Sequence, residues 1–114
     1  MYSVSYRTDT KALVLAILDY GPRHGYGISR ALKERSADLL KLGEGQLYPI
    51  LHALQEEGWI EGEWQMQDGD PPKRVYSITP AGRKELAART KKWKEFAGAV
   101  EQVLTPRVVA EGKS

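Results

Sequence analysis

The chain has 114 residues, of which 41% are hydrophobic and 28% charged, and its formal net charge is +2. These values predict one soluble globular domain, or a small domain with one appended element. The absence of cysteine excludes disulfides and thiolate chemistry, and with only two histidines we expect neither a metal nor another cofactor. No apolar run approaches the ~20 residues of a membrane span, and the first residues lack the apolar segment of a secretion signal, so we expect a cytoplasmic protein.

Two helices are predicted in the first part of the chain. Thr8 or Asp9 can cap a helix over DTKALVLAILDY, which is apolar on nearly all sides and should end before Gly21. A helix of this kind needs two partners, which we expect to be the domain core and a second chain. The stretch GISRALKERSADLL predicts the second helix, with basic Arg30 and Lys33 outside.

The stretch GEGQLYPILHALQEEG, residues 43–58, predicts a third helix. Its leucines and isoleucine recur at i, i+3, i+4 and i+7, which is the spacing of a face packed on a core. Because proline lacks an N–H and its ring clashes with the preceding turn, Pro49 should fix the helix start near Gly45 or Gln46. The opposite face carries uncharged hydrogen-bonding side chains: Gln46, Tyr48, His52 and Gln55. Such a face suits the edges of bases in a DNA groove.

A β-hairpin is predicted next. WIEGEWQMQ alternates between apolar and polar residues, the turn residues of DGDPP follow, and KRVYSI returns as the second strand. Three helices followed by a hairpin are the element order of a winged helix-turn-helix, which is mainly α with a small β hairpin. We therefore predict a DNA-binding domain over residues 1–78.

A long helix is predicted from residue 79 to residue 105. Thr79 can cap it, Pro80 suits its first position, and Thr105-Pro106 should end it after roughly 25 residues. Its apolar residues are spaced by seven and form a seam: Leu86, Trp93 and Val100, with Phe96 and Val103. A seam that extends beyond so small a domain needs a second subunit, so this element is predicted to make a homodimer. The first helix should supply the other wall through Leu13 and Ile17, and residues 106–114 should form a disordered tail.

Three segments resemble the PadR family of transcriptional regulators, in particular its compact branch with a single C-terminal dimerisation helix. They are HGYGI at 24–28, GQLYPILHALQEEGWI at 45–60 and KRVYSITPAGRKEL at 73–86, and the resemblance covers roughly residues 10–104. It implies a dimeric cytoplasmic repressor that binds double-stranded DNA at a near-palindromic operator and is released by a small-molecule effector. Gln46 replaces the small hydroxyl residue expected there, and it could form two bonds to an adenine.

The residues expected to contact DNA lie on three elements. They are Gly45, Gln46, Tyr48, Pro49 and His52 on the third helix, Lys73 and Arg74 at the base of the wing, and Arg30 and Lys33 on the second helix. Each has a simpler reading, since Tyr48 could cap the core and the charged side chains could form solvated surfaces. His24 and Tyr26 are assigned to packing of the turn between the first two helices. Trp93 either packs the dimer seam or lines a cavity for a flat apolar or aromatic effector.

Two other function classes remain for comparison. A winged-helix module whose third helix docks a protein partner would have the same element order, and the uncharged face discriminates poorly between the two. An enzyme is not expected, because the sequence has no Ser-His-Asp pattern, no phosphate-binding glycine loop and no paired carboxylates with an evident pocket.

Overall fold

The computed structural model describes residues 9–106 of the 114-residue chain. In this range the elements follow in the order α1 (Thr10–Asp19), β1 (Arg23–His24), α2 (Gly25–Arg35), α3 (Glu44–Glu56), β2 (Ile60–Gln65), β3 (Lys73–Ile78) and α4 (Pro80–Leu104). The predicted fold class, mainly helical with a small sheet, is confirmed. The predicted tail lies outside the described residues from residue 107 onward. Within 9–106, no helix combines the length and apolar character needed to cross a membrane.

The ends of α1 and α4 are set by local capping, as the sequence predicts. The Asp9 carboxylate accepts a hydrogen bond of 3.0 Å from the Ala12 N–H at the start of α1. The Thr79 hydroxyl accepts one of 3.0 Å from the Gly82 N–H at the start of α4, and Pro80 occupies its first position. These bonds satisfy N–H groups that have no partner inside the helix, so both helices begin where the sequence indicates.

The hydrophobic core lies between the three short helices and one face of the sheet. Its most deeply buried side chains are Val14, Leu15, Leu18, Ile28, Leu47, Leu51, Leu54 and Ile60. Three of these leucines form the predicted stripe of α3, and burying each is worth about 1.5–3 kcal/mol. The core therefore fixes α3 against α1 and α2, and the opposite side of α3 faces outward.

The sheet has three antiparallel strands in the order β1-β3-β2, so the predicted hairpin is confirmed but gains an unpredicted third strand. Arg23 pairs with Tyr76 and His24 pairs with Val75. A two-residue strand has no alternating pattern that a sequence could display, and it forms only because β3 offers it a free edge. His24, expected in a packed turn, is thus a strand residue that ties the start of α2 to the wing.

Helix α4 packs on α1 through its first half and then extends away from the domain. Arg89 donates bonds of 3.0 Å to both carboxylate oxygens of Asp9, and Arg83 donates one of 3.0 Å to Asp19. With 25 residues, α4 is about 37 Å long, and the described part of the chain extends over 72 × 28 × 24 Å. At residue 79 the chain therefore changes direction, and the first half of α4 remains packed against the winged domain.

Candidate nucleic-acid interface

Helix α3 begins at Glu44, one residue before the predicted start near Gly45 or Gln46, and Pro49 lies inside it. The first turn closes on the Gly43 carbonyl, which accepts bonds from the N–H groups of Gln46 at 3.0 Å and Leu47 at 2.9 Å. Pro49 is the sixth residue of the helix, so the predicted start near Gly45 holds to within one residue. Its missing N–H would have served the Gly45 carbonyl, which belongs to the second residue of the helix, so the lost bond affects only the first turn and the helix continues.

Tyr48 is half-exposed, at 48%, and its ring leans back over the start of α2. Its hydroxyl oxygen lies 3.0 Å from the position that a Cβ at Gly25 would occupy, and two ring carbons lie within 3.4 Å of it. A larger residue at position 25 would push the ring away. Gly25 of the HGYGI segment thus leaves room for the Tyr48 ring. The tyrosine was predicted to face solvent, but one of its sides is covered by α2 and the other is open.

Gln46 and His52 are both exposed on α3 but already have local partners. The Gln46 side-chain oxygen accepts a bond of 3.3 Å from the Gly43 N–H, which leaves its amide NH₂ group available. His52 lies 3.6 Å from Glu56, one turn further along the helix. The predicted two-bond contact from Gln46 to adenine therefore requires its side chain to leave the helix start.

Lys73 and Arg74 lie at the distal end of the wing and on opposite faces of it. Lys73 pairs with Gln65 and Arg74 pairs with Trp64, the two pairs nearest the connecting turn. Their predicted position at the base of the wing is wrong, because β3 begins directly after the turn. Neighbouring residues of a strand point to opposite sides, so the two cations cannot act as one pair.

The inner face of the wing is the face of the sheet that continues from the hydrophobic core. It is formed by Ile60, Gly62 and Trp64 of β2 and by Arg74, Tyr76 and Ile78 of β3. The outer face includes Lys73, which lines a cleft of about 110 Å³ together with His24 and Asp70. Lys73 thus stands near an acid of the wing tip, whereas Arg74 belongs to the side of the wing that continues from the core.

Arg74 is enclosed by three residues that the sequence did not single out. A Cβ at Gly62 would lie 2.6 Å from its Nε, and its guanidinium carbon is 5.4 Å from the centroid of the exposed Trp64 ring. Burial raises the pKa of the Tyr76 phenol, the neighbouring Arg74 charge opposes this, and Tyr48 raises the pKa further. The alternation of apolar and polar residues in β2 and β3 was visible in the sequence. The cross-strand register that brings these groups together was not.

The basic residues of α2 face a cleft of about 510 Å³ between α2 and the start of α3. Arg30 and Lys33 line it together with Tyr26 and Lys41. Arg30 is bonded to Glu34 at 3.4 Å on the exposed helix surface. Tyr26 is 70% exposed, so its predicted role in packing a turn is wrong, and it joins the polar surface beside α3.

The predicted dimer residues divide between exposed and covered positions. Trp93 is 41% and Val103 84% exposed in the single chain, while Phe96 and Val100 are half-buried. The rings of Trp93 and Phe96 lie 5.7 Å apart between centroids and are tilted by 48°. This part of α4 therefore presents a large apolar surface beyond the core.

The dimer residues nearer the core are more enclosed. Leu86 is half-buried against the core and also lines an open groove of about 690 Å³ along α4, and Leu13 is half-buried on α1. Ile17 is only 4% exposed within its own chain. Its assignment to the interface is corrected to a core role, because the core side of α1 already covers its surface.

Comparison with known proteins gives a consistent result. Residues 14–88 match the model of the Transcriptional regulator PadR-like family. The chain is 36% identical over 78 residues to Transcriptional regulator Rv3488 of Mycobacterium tuberculosis, which is 68% of this chain and 59% of that protein. It is 32% identical over 76 residues to Negative transcriptional regulator PadR of Bacillus subtilis, 67% of this chain and 42% of that protein. The chain thus spans less than two thirds of the length of these curated relatives.

Solved structures show the same similarity. The crystal structure of Bacillus subtilis PadR in complex with operator DNA matches with a TM-score of 0.65 and 30% identity, covering 71% of this chain and 46% of that chain. The PadR-like transcriptional regulator BC4206 from Bacillus cereus matches with a TM-score of 0.72 and 26% identity, covering 85% of this chain and 92% of that one. The second match therefore extends over more of this chain and over nearly the whole length of the other one.

Proposed function

Because the chain belongs to the PadR-like family of transcriptional regulators, we propose that it binds double-stranded DNA sequence-specifically and represses transcription as a homodimer on a near-palindromic operator. The observation that carries the proposal is the exposed side of α3 with Gln46, Tyr48 and His52, which the core holds next to the wing. Such a protein would act in the cytoplasm on the chromosome. A relative that covers 71% of the chain is described with its operator DNA, which supports the same use of the shared domain.

In this proposal α3 enters the major groove and reads base edges. Tyr48 offers a hydroxyl and an open ring side, Gln46 offers its amide NH₂, and His52 lies one turn further along the same side. Gly45 and Pro49 allow the first turn of α3 to approach the DNA backbone closely, because neither carries a long side chain. Each good contact to a base is worth about 1–3 kcal/mol of discrimination.

Phosphate contacts would come from both sides of α3. Arg30 and Lys33 on α2 stand on the element that crosses the backbone in helix-turn-helix docking, and Lys73 stands at the distal end of the wing. These contacts position the domain without reading sequence. Their number sets the salt dependence of binding, at about 0.9 in the log–log slope for each contact.

The homodimer would form along α4. Trp93, Phe96, Val100 and Val103 present an apolar stripe beyond the core, and Leu13 and Leu86 extend it toward α1. A second copy that covered this stripe would place two α3 helices for successive major grooves, about 34 Å apart. A small apolar or aromatic effector between the two Trp93 side chains would then alter that separation and release the operator.

Selection of bound sites from a random DNA pool tests the proposal. We expect a near-palindrome whose half-sites are one helical turn apart. Tyr48→Ala should weaken binding to that site by about 1–3 kcal/mol, and Lys73→Ala should reduce the salt slope by about 0.9 on specific and random DNA alike. Lys84→Ala removes the same charge from the exposed surface of α4 and is the matched control.

The result that contradicts the proposal is equally clear. If the folded protein recovers no site from the pool at low salt, α3 is not a DNA reader, and a protein partner on that helix becomes the better explanation. If a single half-site is recovered without symmetry, DNA binding stands but the homodimer fails. A near-palindrome bound equally well by Tyr48→Ala would instead move the readout away from this residue.

A further inference from the structure

Arg89, in the first half of α4, is held by side chains from three parts of the chain. Its Nη1 donates bonds of 3.0 Å to both carboxylate oxygens of Asp9, the residue that caps α1. Its Nε donates a bond of 2.7 Å to Glu85, one turn earlier in α4. Its guanidinium carbon lies 5.3 Å from the centroid of the Trp59 ring, within the range of a cation–π interaction. One side chain therefore joins α4 to the start of α1 and to the connection that follows α3.

The surroundings of Arg89 restrict its movement. Only 25% of its side chain is exposed, and the carboxylates of Asp9 and Glu85 are half-buried beside it. Bonds from a planar guanidinium to carboxylates are charge-assisted, so they are stronger than neutral bonds and also fix its direction. The other ion pair described here between α4 and α1, from Arg83 to Asp19, is exposed on both sides, and exposed pairs contribute little. Arg89 is therefore the stronger of these two polar links.

The contacts of Arg89 lie where α4 leaves the winged domain. The first turn of α4 is already held by the Thr79 cap and by the close approach of Gly82 to the Trp59 carbonyl. Arg89 lies seven residues after Gly82, which is about 10 Å along the helix axis, and α4 continues from there to Leu104. A helix held near its start alone can swing about that point. A second contact about 10 Å further along fixes its direction.

The direction of α4 decides where a second copy places its own α3. Phe96, in the proposed dimer stripe, lies about 21 Å along the helix from Gly82. A swing of about 10° at the first turn moves Phe96 by about 4 Å, which is close to the rise of about 3.4 Å for one base pair. Since the second copy packs on this stripe in the proposed homodimer, the swing changes the separation of the two α3 helices by a comparable distance.

We propose that Arg89 is a positioning residue for operator recognition: tied to Asp9 and Trp59 at once, it fixes the direction in which α4 leaves the winged domain. It thereby sets the number of base pairs that the homodimer accepts between two half-sites. This inference rests on the proposed function, since it needs the homodimer and its near-palindromic operator. The role differs from that of a phosphate-binding arginine, because the donors of Arg89 are already bonded to carboxylates.

The test measures binding of the full chain to the selected operator and to operators whose spacer is one base pair longer or shorter. One base pair changes the half-site separation by about 3.4 Å and turns one half-site by roughly a tenth of a turn. The parent should bind the altered operators on the order of 100-fold less tightly, because it loses the gain from linking two half-sites. In Arg89→Gln this ratio should fall below about tenfold, because α4 can adopt other directions.

Asp9→Asn tests the same contact from the other helix. The asparagine oxygen can still accept the bond from the Ala12 N–H that caps α1, but the charged partner of Arg89 is removed. Asp9→Asn should therefore relax the spacer preference as Arg89→Gln does, and the double variant should be no worse than either single variant. Lys84→Gln removes one charge from the exposed surface of α4 and should keep the parental preference, which makes it the matched control.

Sedimentation, binding to an isolated half-site and the salt slope distinguish this role from others. Arg89→Gln should remain a folded dimer, with parental affinity for one half-site and a parental salt slope. A lower salt slope would make Arg89 a phosphate contact, and a folded dimer with unchanged spacer preference would show that Arg89 does not direct α4. Either result overturns the inference.

Two further results would also overturn it. Dissociation of the dimer in both Arg89→Gln and Asp9→Asn would show that the ion pair holds the interface itself and does not orient α4. Recovery of no symmetric operator by the parent would refute the homodimer of the proposed function as well, and so distinguishes that failure from a failure of the inference alone.

Discussion

Replacement of Gly82 by alanine should disturb the junction between the winged domain and α4. Gly82 lies in the first turn of α4, and a Cβ there would fall 2.0 Å from the Trp59 carbonyl oxygen and 2.8 Å from a side-chain carbon of Ile78. Since these are backbone and core atoms, α4 must move by about 1 Å. The same Trp59 carbonyl accepts a bond of 3.0 Å from the Thr79 N–H, which the movement would strain.

The expected loss of stability combines two destabilising terms and one stabilising term. Overpacking costs about 1–3 kcal/mol, and weakening of the hydrogen bond adds about 0.5–1.5 kcal/mol. Alanine has the better helix propensity by about 1 kcal/mol, so Gly82→Ala should lower the free energy of unfolding by about 0.5–3.5 kcal/mol. Gly98 lies in the same helix with nothing within 4 Å of its Cβ position, and Gly98→Ala should therefore stabilise the protein slightly.

Urea unfolding followed by circular dichroism measures both changes. Each protein is compared at several fixed concentrations, because dimerisation makes apparent stability depend on concentration. If Gly82→Ala were as stable as the parent, or gained as much as Gly98→Ala, the close approach of α4 to Trp59 would be wrong. The anchoring of the long helix on the wing domain would then need another explanation.

Four further predictions concern the site, the seam and the sheet. Gln46→Ala should relax base preference in the selected operator, and an unchanged preference in a repeated selection would show that its amide stays at the helix start. Phe96→Ala should produce monomer or unfolded chain by analytical ultracentrifugation, since truncating a buried aromatic costs about 3–5 kcal/mol, and a folded dimer would remove this part of α4 from the interface. Trp93→Ala distinguishes the two readings of that side chain, because a seam residue costs dimer stability whereas a cavity residue costs only effector response. The pKa of Tyr76 is raised, so the folded state holds the phenol proton more tightly than the unfolded state does. The resulting contribution to stability is fully present below about pH 10 and is lost as the pH rises above it. Tyr76→Phe should therefore flatten the plot of unfolding free energy against pH in this range, as measured by urea titration.

The order of elements could be predicted from the sequence because it depends on short-range physics. The caps at Asp9 and Thr79, the leucine stripe of α3 and the alternation of the two wing strands each involve residues a few positions apart. Hydrogen bonds to helix ends and burial of one face act over the same range. The family resemblance, carried by those local segments, was confirmed for the same reason.

The arrangement of the candidate site was decided by tertiary structure. Tyr48 packs on Gly25 of the preceding helix, and Arg74 packs on Gly62 of the partner strand. Neither contact can be predicted from residues that are neighbours in sequence. The short strand at residues 23–24 exists only because β3 has an edge to pair with. Contacts between residues distant in sequence form only once the core fixes the relative positions of helices and strands, and these contacts determine which exposed side chains are free to meet a partner.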